Sequence, residues 1–253
     1  MFDDYLNEIL NKIYFKTNEE FLIKDILLKI KDSLEVLLEY ELETHLIGSI
    51  YRGTAIAKNI DENFDVDFLI VPKNEQDFCK IKDFLKEKYE KNFFEKPELN
   101  KIFINFKSYI IDIILGYKKN DSDYKIPDMK SENNYISINF FEEKNFLYKK
   151  EAENKNFLIK LIKIMKYLNN CYSFDFLSYS VEKSVLAMSY SKINNSLTDY
   201  LFEFLLNLKE NSNYSNIANE NIKRIHSTIN NIKKGNRDLS QIKQIVLDNF
   251  VKI

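Results

Sequence analysis

The stretch from Phe64 to Val71, FDVDFLIV, constrains this chain more than any other. It alternates, then becomes continuously apolar, and Pro72 closes it, the pattern of a β-strand running into a core. Side chains two apart on a strand share one face, about 6.6 Å apart along the chain. Asp65 and Asp67 therefore point the same way. Two unpaired carboxylates on one strand face repel each other and are costly to remove from water. A divalent cation relieves both problems, and Mg²⁺ suits the place, since it takes one or two carboxylates and completes its shell with water and substrate phosphates.

A third carboxylate, Asp112, lies between isoleucines in YIIDIILGY, which reads as a second buried strand. If the two strands pair, about 4.8 Å apart, Asp112 comes within reach of Asp65 and Asp67. Three carboxylates on adjacent strands suit two metals, the arrangement that activates an attacking hydroxyl and stabilises a leaving pyrophosphate. DSD at Asp121 to Asp123 has the same spacing but stands in a polar stretch, and it reads as a loop.

Upstream, two of the chain's four glycines, Gly48 and Gly53, flank a short segment that follows the apolar run THLI. A glycine at a strand end lets the backbone come close to a phosphate, where N–H groups and the Ser49 hydroxyl would hold it. This is not a Walker A loop, because Gly53 is followed by Thr54 and not by lysine.

Around these motifs the chain divides by periodicity. Leu6, Ile9, Leu10 and Ile13 predict a first short helix, and Phe21 to Glu43 a long one. THLIGSI, FDVDFLIV, KIFINFKS and YIIDIILGY predict strands, with a surface helix over 75–90 bearing Phe78, Ile81 and Leu85 on its apolar face. SDYKIPDMKSENN reads as a loop and YISINFF as one more strand. Beyond about residue 150, NFLIKLIKIMKYLNN, FLSYSVEKSVLAMSY, LTDYLFEFLLNLK, ANENIKRIHSTINNIKK and LSQIKQIVLDNFVKI all carry helical periodicity, and the Asn-rich stretch around 211–219 reads as a loop. The expectation is an α+β chain: a lobe over 1–150 with a small mixed sheet, flanking helices and the aspartates, then a helical lobe over 151–253.

Lys160, Lys163 and Lys166 recur every third residue, which by itself reads as the solvated face of an amphipathic helix. Composition narrows the field further. A net charge of −2 gives no basic coat for nucleic acid. Cys79 and Cys171 lack metal-ligand spacing and read as buried reduced thiols of a cytoplasmic protein. MFDDYLNEIL does not read as a signal peptide, and no apolar run approaches a membrane span. His45 and His226 have no catalytic partner in the pattern and read as structural.

Taken in order, GS…RGTAI…FDVDFLIV followed by IIDII resembles the polymerase-β-like nucleotidyltransferase superfamily. Within it, the pattern is similar to the branch of bacterial CD-NTases, animal cyclic GMP–AMP synthase and Mab-21-like proteins. NFLIKLIKIMKYLNN resembles the spine helix of these enzymes, and LSYSVEKSVLA the Ser-Tyr segment after it. The resemblance implies a two-lobed nucleotidyltransferase fold whose helical lobe closes the nucleotide cleft. Asp65, Asp67 and Asp112 would hold two Mg²⁺ or Mn²⁺ ions. Gly48, Ser49, Lys163 and Lys166 would bind the triphosphate of an NTP such as ATP or GTP, Ser178 would touch the phosphate tail, and Tyr179 would stack on a base. The implied product is a cyclic di- or oligonucleotide second messenger of anti-phage signalling, with any protein or nucleic-acid activator unidentified. The alternatives are nucleotide addition to tRNA or another acceptor and an inactive Mab-21-like binding module. The Cys/His zinc insert of the animal DNA sensor is absent.

Overall fold

The computed structural model describes residues 2–61, 64–96, 101–106, 109–128, 135–172, 176–191, 195–208 and 216–234. Two compact units share the chain: Met1–Phe15, Thr54–Glu62 and Leu147–Ile253 form one, and Lys16–Gly53 with Asn63–Phe146 form the other.

The second unit is built on a five-stranded sheet. Its strands are β1 (Glu43–Leu46), β2 (Asp65–Val71), β3 (Phe93–Lys96), β4 (Lys101–Phe106) and β5 (Tyr109–Leu115), in the order β1-β2-β5-β4-β3. β2 and β5 run parallel at the centre and the other pairs are antiparallel. The central strands are apolar because both faces are covered. Val66, Phe68 and Ile70 lie buried on one face, with Ile111 and Ile113 beside them. The opposite face begins with aspartates and ends in a small core of Ile47, Leu69, Val71, Ile114, Tyr124 and Phe140. A three-stranded sheet, β6 (Tyr117–Lys118), β7 (Tyr124–Pro127) and β8 (Tyr135–Ile138), follows.

Helices α2 (Thr17–Leu38), α3 (Gly48–Arg52) and α4 (Gln76–Tyr89) complete this unit, with the start of α5 (Phe140–Glu153). α2 forms because Ile23, Ile26, Leu27, Ile30 and Leu34 recur on one buried face. Its end lies earlier than the apolar spacing predicts. Glu39 turns left-handed at φ 60°, and the Glu35 carboxylate accepts the Leu42 N–H at 2.7 Å, so the chain leaves the helix before β1. Two other expectations are corrected in part: SDYKIPDMKSENN as a loop, and YISINFF as a strand through Phe140 and Phe141. Tyr124–Pro127 is a strand paired with Tyr135–Ile138, its proline at the last paired position, where little of the ladder is lost. Phe140–Glu153 is a helix whose apolar face is too narrow to stand out against its charges.

The first unit is helical. α1 (Phe2–Lys12) packs Leu6 and Ile9, and Ile13 just past its end, into one core with α6 (Leu158–Tyr172), α7 (Ser178–Ala187) and α8 (Leu197–Asn207). α9 (Asn216–Lys234) adds Ile222 to it. The expected cut near residue 150 is therefore corrected in one respect: α1 and Thr54–Glu62 belong with the later helices. The Ala57 N–H donates to the Ile13 carbonyl at 2.9 Å, joining the two early segments. The Asn-rich stretch is a helix from Asn216 on, and 209–215 lie outside the described residues, as does LSQIKQIVLDNFVKI. Cys79 and Cys171 are exposed, not buried. No described helix is long and apolar enough to cross a membrane.

His45 is structural, as its sequence setting suggests. Its Nε2 lies 3.0 Å from the Glu43 carboxylate and 3.1 Å from the Tyr124 hydroxyl, and its ring packs on Phe140. Burial opposes ionisation of Glu43, yet hydrogen bonds from Tyr124, His45 and Lys118 hold its pKa down to about 2. His226 meets only a backbone carbonyl, that of Leu205, at 3.0 Å among the contacts described.

Candidate metal and nucleotide site

β-register places the three aspartates. Asp67 and Asp112 are direct partners across the parallel β2–β5 pair, and Asp65 is two residues back on the same face. One carboxylate oxygen from each lies within 4.8 Å of the others. Asp65 is exposed, Asp67 is half-buried and Asp112 is fully buried. Removal from water, then the charges of Asp65 and Asp112, push the Asp67 pKa up to about 7, while Lys101 and Arg52 pull the other way. Burial likewise raises Asp112, against the lowering effect of Lys101 and Lys96.

These residues fit a divalent cation. Asp112 Oδ1 is buried with no hydrogen-bond partner, so one oxygen of the cluster lacks the donor that a buried carboxylate normally finds. The donor set is three hard carboxylate oxygens on neighbouring strands, the choice of Mg²⁺ and Mn²⁺.

The first sequence glycine is explained by the same cluster. Gly48 opens α3 at φ +71°, and a Cβ there would stand 1.8 Å from Asp67 Oδ2. No L side chain fits between α3 and the carboxylate. The Ile47 N–H donates to the Asp67 carbonyl at 3.0 Å, fixing the turn to β2. Gly53 closes α3 in the left-handed region at φ 75°. Ser49 is partly exposed beside Gly48. Gly48, Ser49, Asp65, Asp67 and Asp112 thus belong to one unit, and the fold brings Gly48 against the aspartates.

The remaining expected residues stand on the helical unit. Lys166 is corrected. It is neither a solvated residue nor a cation turned toward a ligand, but is 4% exposed, with Nζ 2.7 Å from the Glu182 carboxylate and 3.2 Å from the Thr54 carbonyl. Thr54, itself buried, donates its hydroxyl to the same Glu182 oxygen at 2.7 Å. The reason lies in α6, whose buried positions run almost unbroken from Leu161 to Leu168, so a lysine there enters the core and needs a counter-ion. Lys163 is half-buried with Nζ 5.6 Å from the centre of the Tyr14 ring, and burial lowers its pKa, with Lys166 adding to the effect. Lys160 is exposed, as a solvated face requires. Ser178 opens α7 exposed, and Tyr179 is 44% exposed under the Lys183 ammonium at 4.5 Å.

The Lys166 arrangement makes a prediction opposite in kind to that of a surface lysine. Lys166→Ala leaves the Glu182 carboxylate buried without its partner and costs about 3–5 kcal/mol of stability. Thermal and urea melts check it. A variant as stable as the wild type contradicts the buried pair.

Lys101 and Arg52 beside the aspartates, and Glu182 and Thr54 beside Lys166, went unseen in the sequence pattern. For Lys101 a signal existed. The hairpin of KIFINF and YIIDIIL pairs Phe106 with Tyr109 and hence Phe103 with Asp112, so Lys101, two residues before Phe103, shares the Asp112 face. Glu182 carries no comparable mark, being one glutamate on an amphipathic helix.

With this geometry in view, the fold of the chain is similar to that of solved nucleotidyltransferases of the CD-NTase type. The fold is shared with CdnC of E. coli MS115-1, solved with ATP, at 11% identity and TM-score 0.68, over 98% of this chain and 95% of that one. Apo DncV of Vibrio cholerae aligns at 11% identity and TM-score 0.68, over 96% and 92%. The CdnE cyclic dinucleotide synthase of Elizabethkingia meningoseptica, solved with GTP and Apcpp, aligns at 17% identity and TM-score 0.63, over 86% and 88%. A cytoplasmic RNA terminal U-transferase is more distant, at 13% identity and TM-score 0.55, over 81% and 70%. No family model and no curated protein matches the sequence.

Proposed function

We propose that the protein is a metal-dependent nucleotidyltransferase that joins NTPs with release of pyrophosphate and makes a cyclic di- or oligonucleotide. The observation that carries the reading is the convergence of Asp65, Asp67 and Asp112, with a buried, partnerless oxygen on Asp112. A purely structural cluster would pair that oxygen or leave it in water. Fold likeness to cyclic dinucleotide synthases supports the product class.

In this reading Asp65 and Asp67 hold the cations that accompany the triphosphate, and Asp112 serves the attacking hydroxyl. Held there, Mg²⁺ or Mn²⁺ would supply charge neutralisation for the phosphates and make the attacking hydroxyl easier to deprotonate. The hydroxyl oxygen of a ribose forms a bond to the α-phosphorus, the bond to pyrophosphate breaks in line, and the hydroxyl proton leaves to solvent. Gly48 brings backbone against the aspartates, and Ser49 offers a hydroxyl to the phosphates. Lys163 as a triphosphate contact, Ser178 at the phosphate tail and Tyr179 on the base belong to the same proposal. Lys166 leaves it, because its ammonium is spent on Glu182.

The test is incubation with each labelled NTP and with all four, plus Mg²⁺ or Mn²⁺, with and without RNA. Phosphatase-resistant small products are expected. Label appearing in RNA would move the protein to acceptor transfer, the reading favoured by the terminal U-transferase likeness. Nucleotide binding with no pyrophosphate released under any metal or activator would make it a binding module.

A further inference from the structure

The aspartate cluster already has a cation of its own. Lys101 opens β4, and the β4–β5 register puts it on the Asp112 face. Its ammonium donates to Asp112 Oδ2. The two side chains differ sharply in exposure, 39% for Lys101 and 0% for Asp112. The carboxylate is fixed in the sheet, while the lysine reaches it from the rim on a flexible stem. Lys96, its strand partner on β3, directs its ammonium over the Phe103 ring at 5.3 Å, and Arg52 lies 3.5 Å from Glu143.

A divalent ion on the open Oδ1 of Asp112 would stand close to the ammonium held on Oδ2 of the same carboxylate, and the two cations repel across it. A long lysine stem can swing out to water at small cost, whereas the buried carboxylate cannot follow it. On the reading of Asp65, Asp67 and Asp112 as metal ligands, we propose that Lys101 is a built-in stand-in for the divalent cation. It neutralises Asp112 while the site lacks metal, opposes a second cation on the same carboxylate, and so sets the metal affinity of the site below what three carboxylates alone would give. Lys101 thereby positions Asp112 for its ligand and takes no part in the bond changes.

The experiment is Mn²⁺ binding to the full chain without nucleotide, read from the electron paramagnetic resonance signal of free Mn²⁺. Wild type, Lys101→Met, Lys101→Arg and Asp67→Asn are compared, each checked for folding by circular dichroism. Lys101→Met is expected to bind Mn²⁺ about tenfold or more tightly than wild type, the worth of one competing charge-assisted hydrogen bond. Lys101→Arg keeps the charge and is expected to stay near wild type. Mn²⁺ should also raise the melting temperature of Lys101→Met more than that of wild type, which a merely structural lysine would not produce. Lys101→Gln carries the same expectations if the methionine variant folds poorly. If Asp67→Asn weakens Mn²⁺ binding but neither neutral Lys101 variant tightens it, the stand-in role is overturned and the metal site stands. If wild type and Asp67→Asn bind Mn²⁺ alike, the metal reading fails and the Lys101 role fails with it.

Discussion

Asp67→Asn is expected to reduce NTP turnover to less than about 1% of wild type while making the metal-free protein more stable at neutral pH. Both effects come from one carboxylate. Asp67 shares its cluster with Asp65 and Asp112, and its oxygen is pressed against Gly48, so it can be replaced only by a group of the same shape. Asparagine has that shape and lacks the charge. The sign of the stability effect follows from the raised pKa. An acid whose folded pKa is about 7 and whose ordinary value is 3.8 binds more protons folded than unfolded between those limits. Its contribution is therefore fully present below the lower value and is lost as pH rises toward the upper one, at about 1.4 kcal/mol for each pH unit crossed.

Without metal, the melting temperatures of wild type and Asp67→Asn should converge near pH 4, and the variant should lie several degrees higher at pH 8. Added Mg²⁺ or Mn²⁺ should raise the melting temperature of the wild type and leave the variant nearly unmoved. Pyrophosphate release measures the activity side. A fully active variant would remove Asp67 from the metal site. A variant less stable at pH 8 would mean that Asp67 makes a structural bond that outweighs its repulsions.

The second large effect separates binding from chemistry. Asp112→Asn should lower kcat by about 100-fold or more and leave NTP affinity within a few-fold of wild type. In the proposed roles Asp65 and Asp67 serve the incoming triphosphate, which is bound in ground state and transition state alike. Asp112 serves the attacking hydroxyl, whose activation matters only on the way to the transition state. The substitution is conservative in volume, which matters because Asp112 is 0% exposed and a smaller residue would leave a cavity. It weakens the Lys101 partnership, but that ammonium has a path to water. Titration calorimetry with a non-hydrolysable NTP and a pyrophosphate assay on the same sample measure both quantities. Normal turnover would make Asp112 a structural aspartate. A parallel loss of affinity and kcat would place it on the triphosphate instead.

Much of this fold was legible in the sequence because burial leaves a periodic trace. The strand-length run FDVDFLIV and the three-and-four spacing of α1, α2 and α6 to α8 follow from which faces meet water, and that preference is local. Tyr124–Pro127 escaped because a short strand with a proline at its end looks like a turn until its partners at Tyr117–Lys118 and Tyr135–Ile138 are known. α5 escaped because its charges mask the side it buries.

The aspartates were visible for a related reason. Charge inside an apolar strand demands compensation, so Asp65, Asp67 and Asp112 declare themselves wherever they occur, and Gly48 marks a point where the backbone must pass something closely. Composition and spacing by themselves determined the α+β class and the two kinds of lobe, and they marked three carboxylates that the β2–β5 register then brings together. Tertiary structure decided which cation meets which anion. The hairpin register only puts Lys101 on the Asp112 face, and nothing local pairs Lys166 with Glu182. A lysine on a helix reads the same in sequence whether its ammonium reaches water, a phosphate or a buried glutamate. The difference is set by which surface packs over it, and that is a property of the assembled core and of no local stretch of chain.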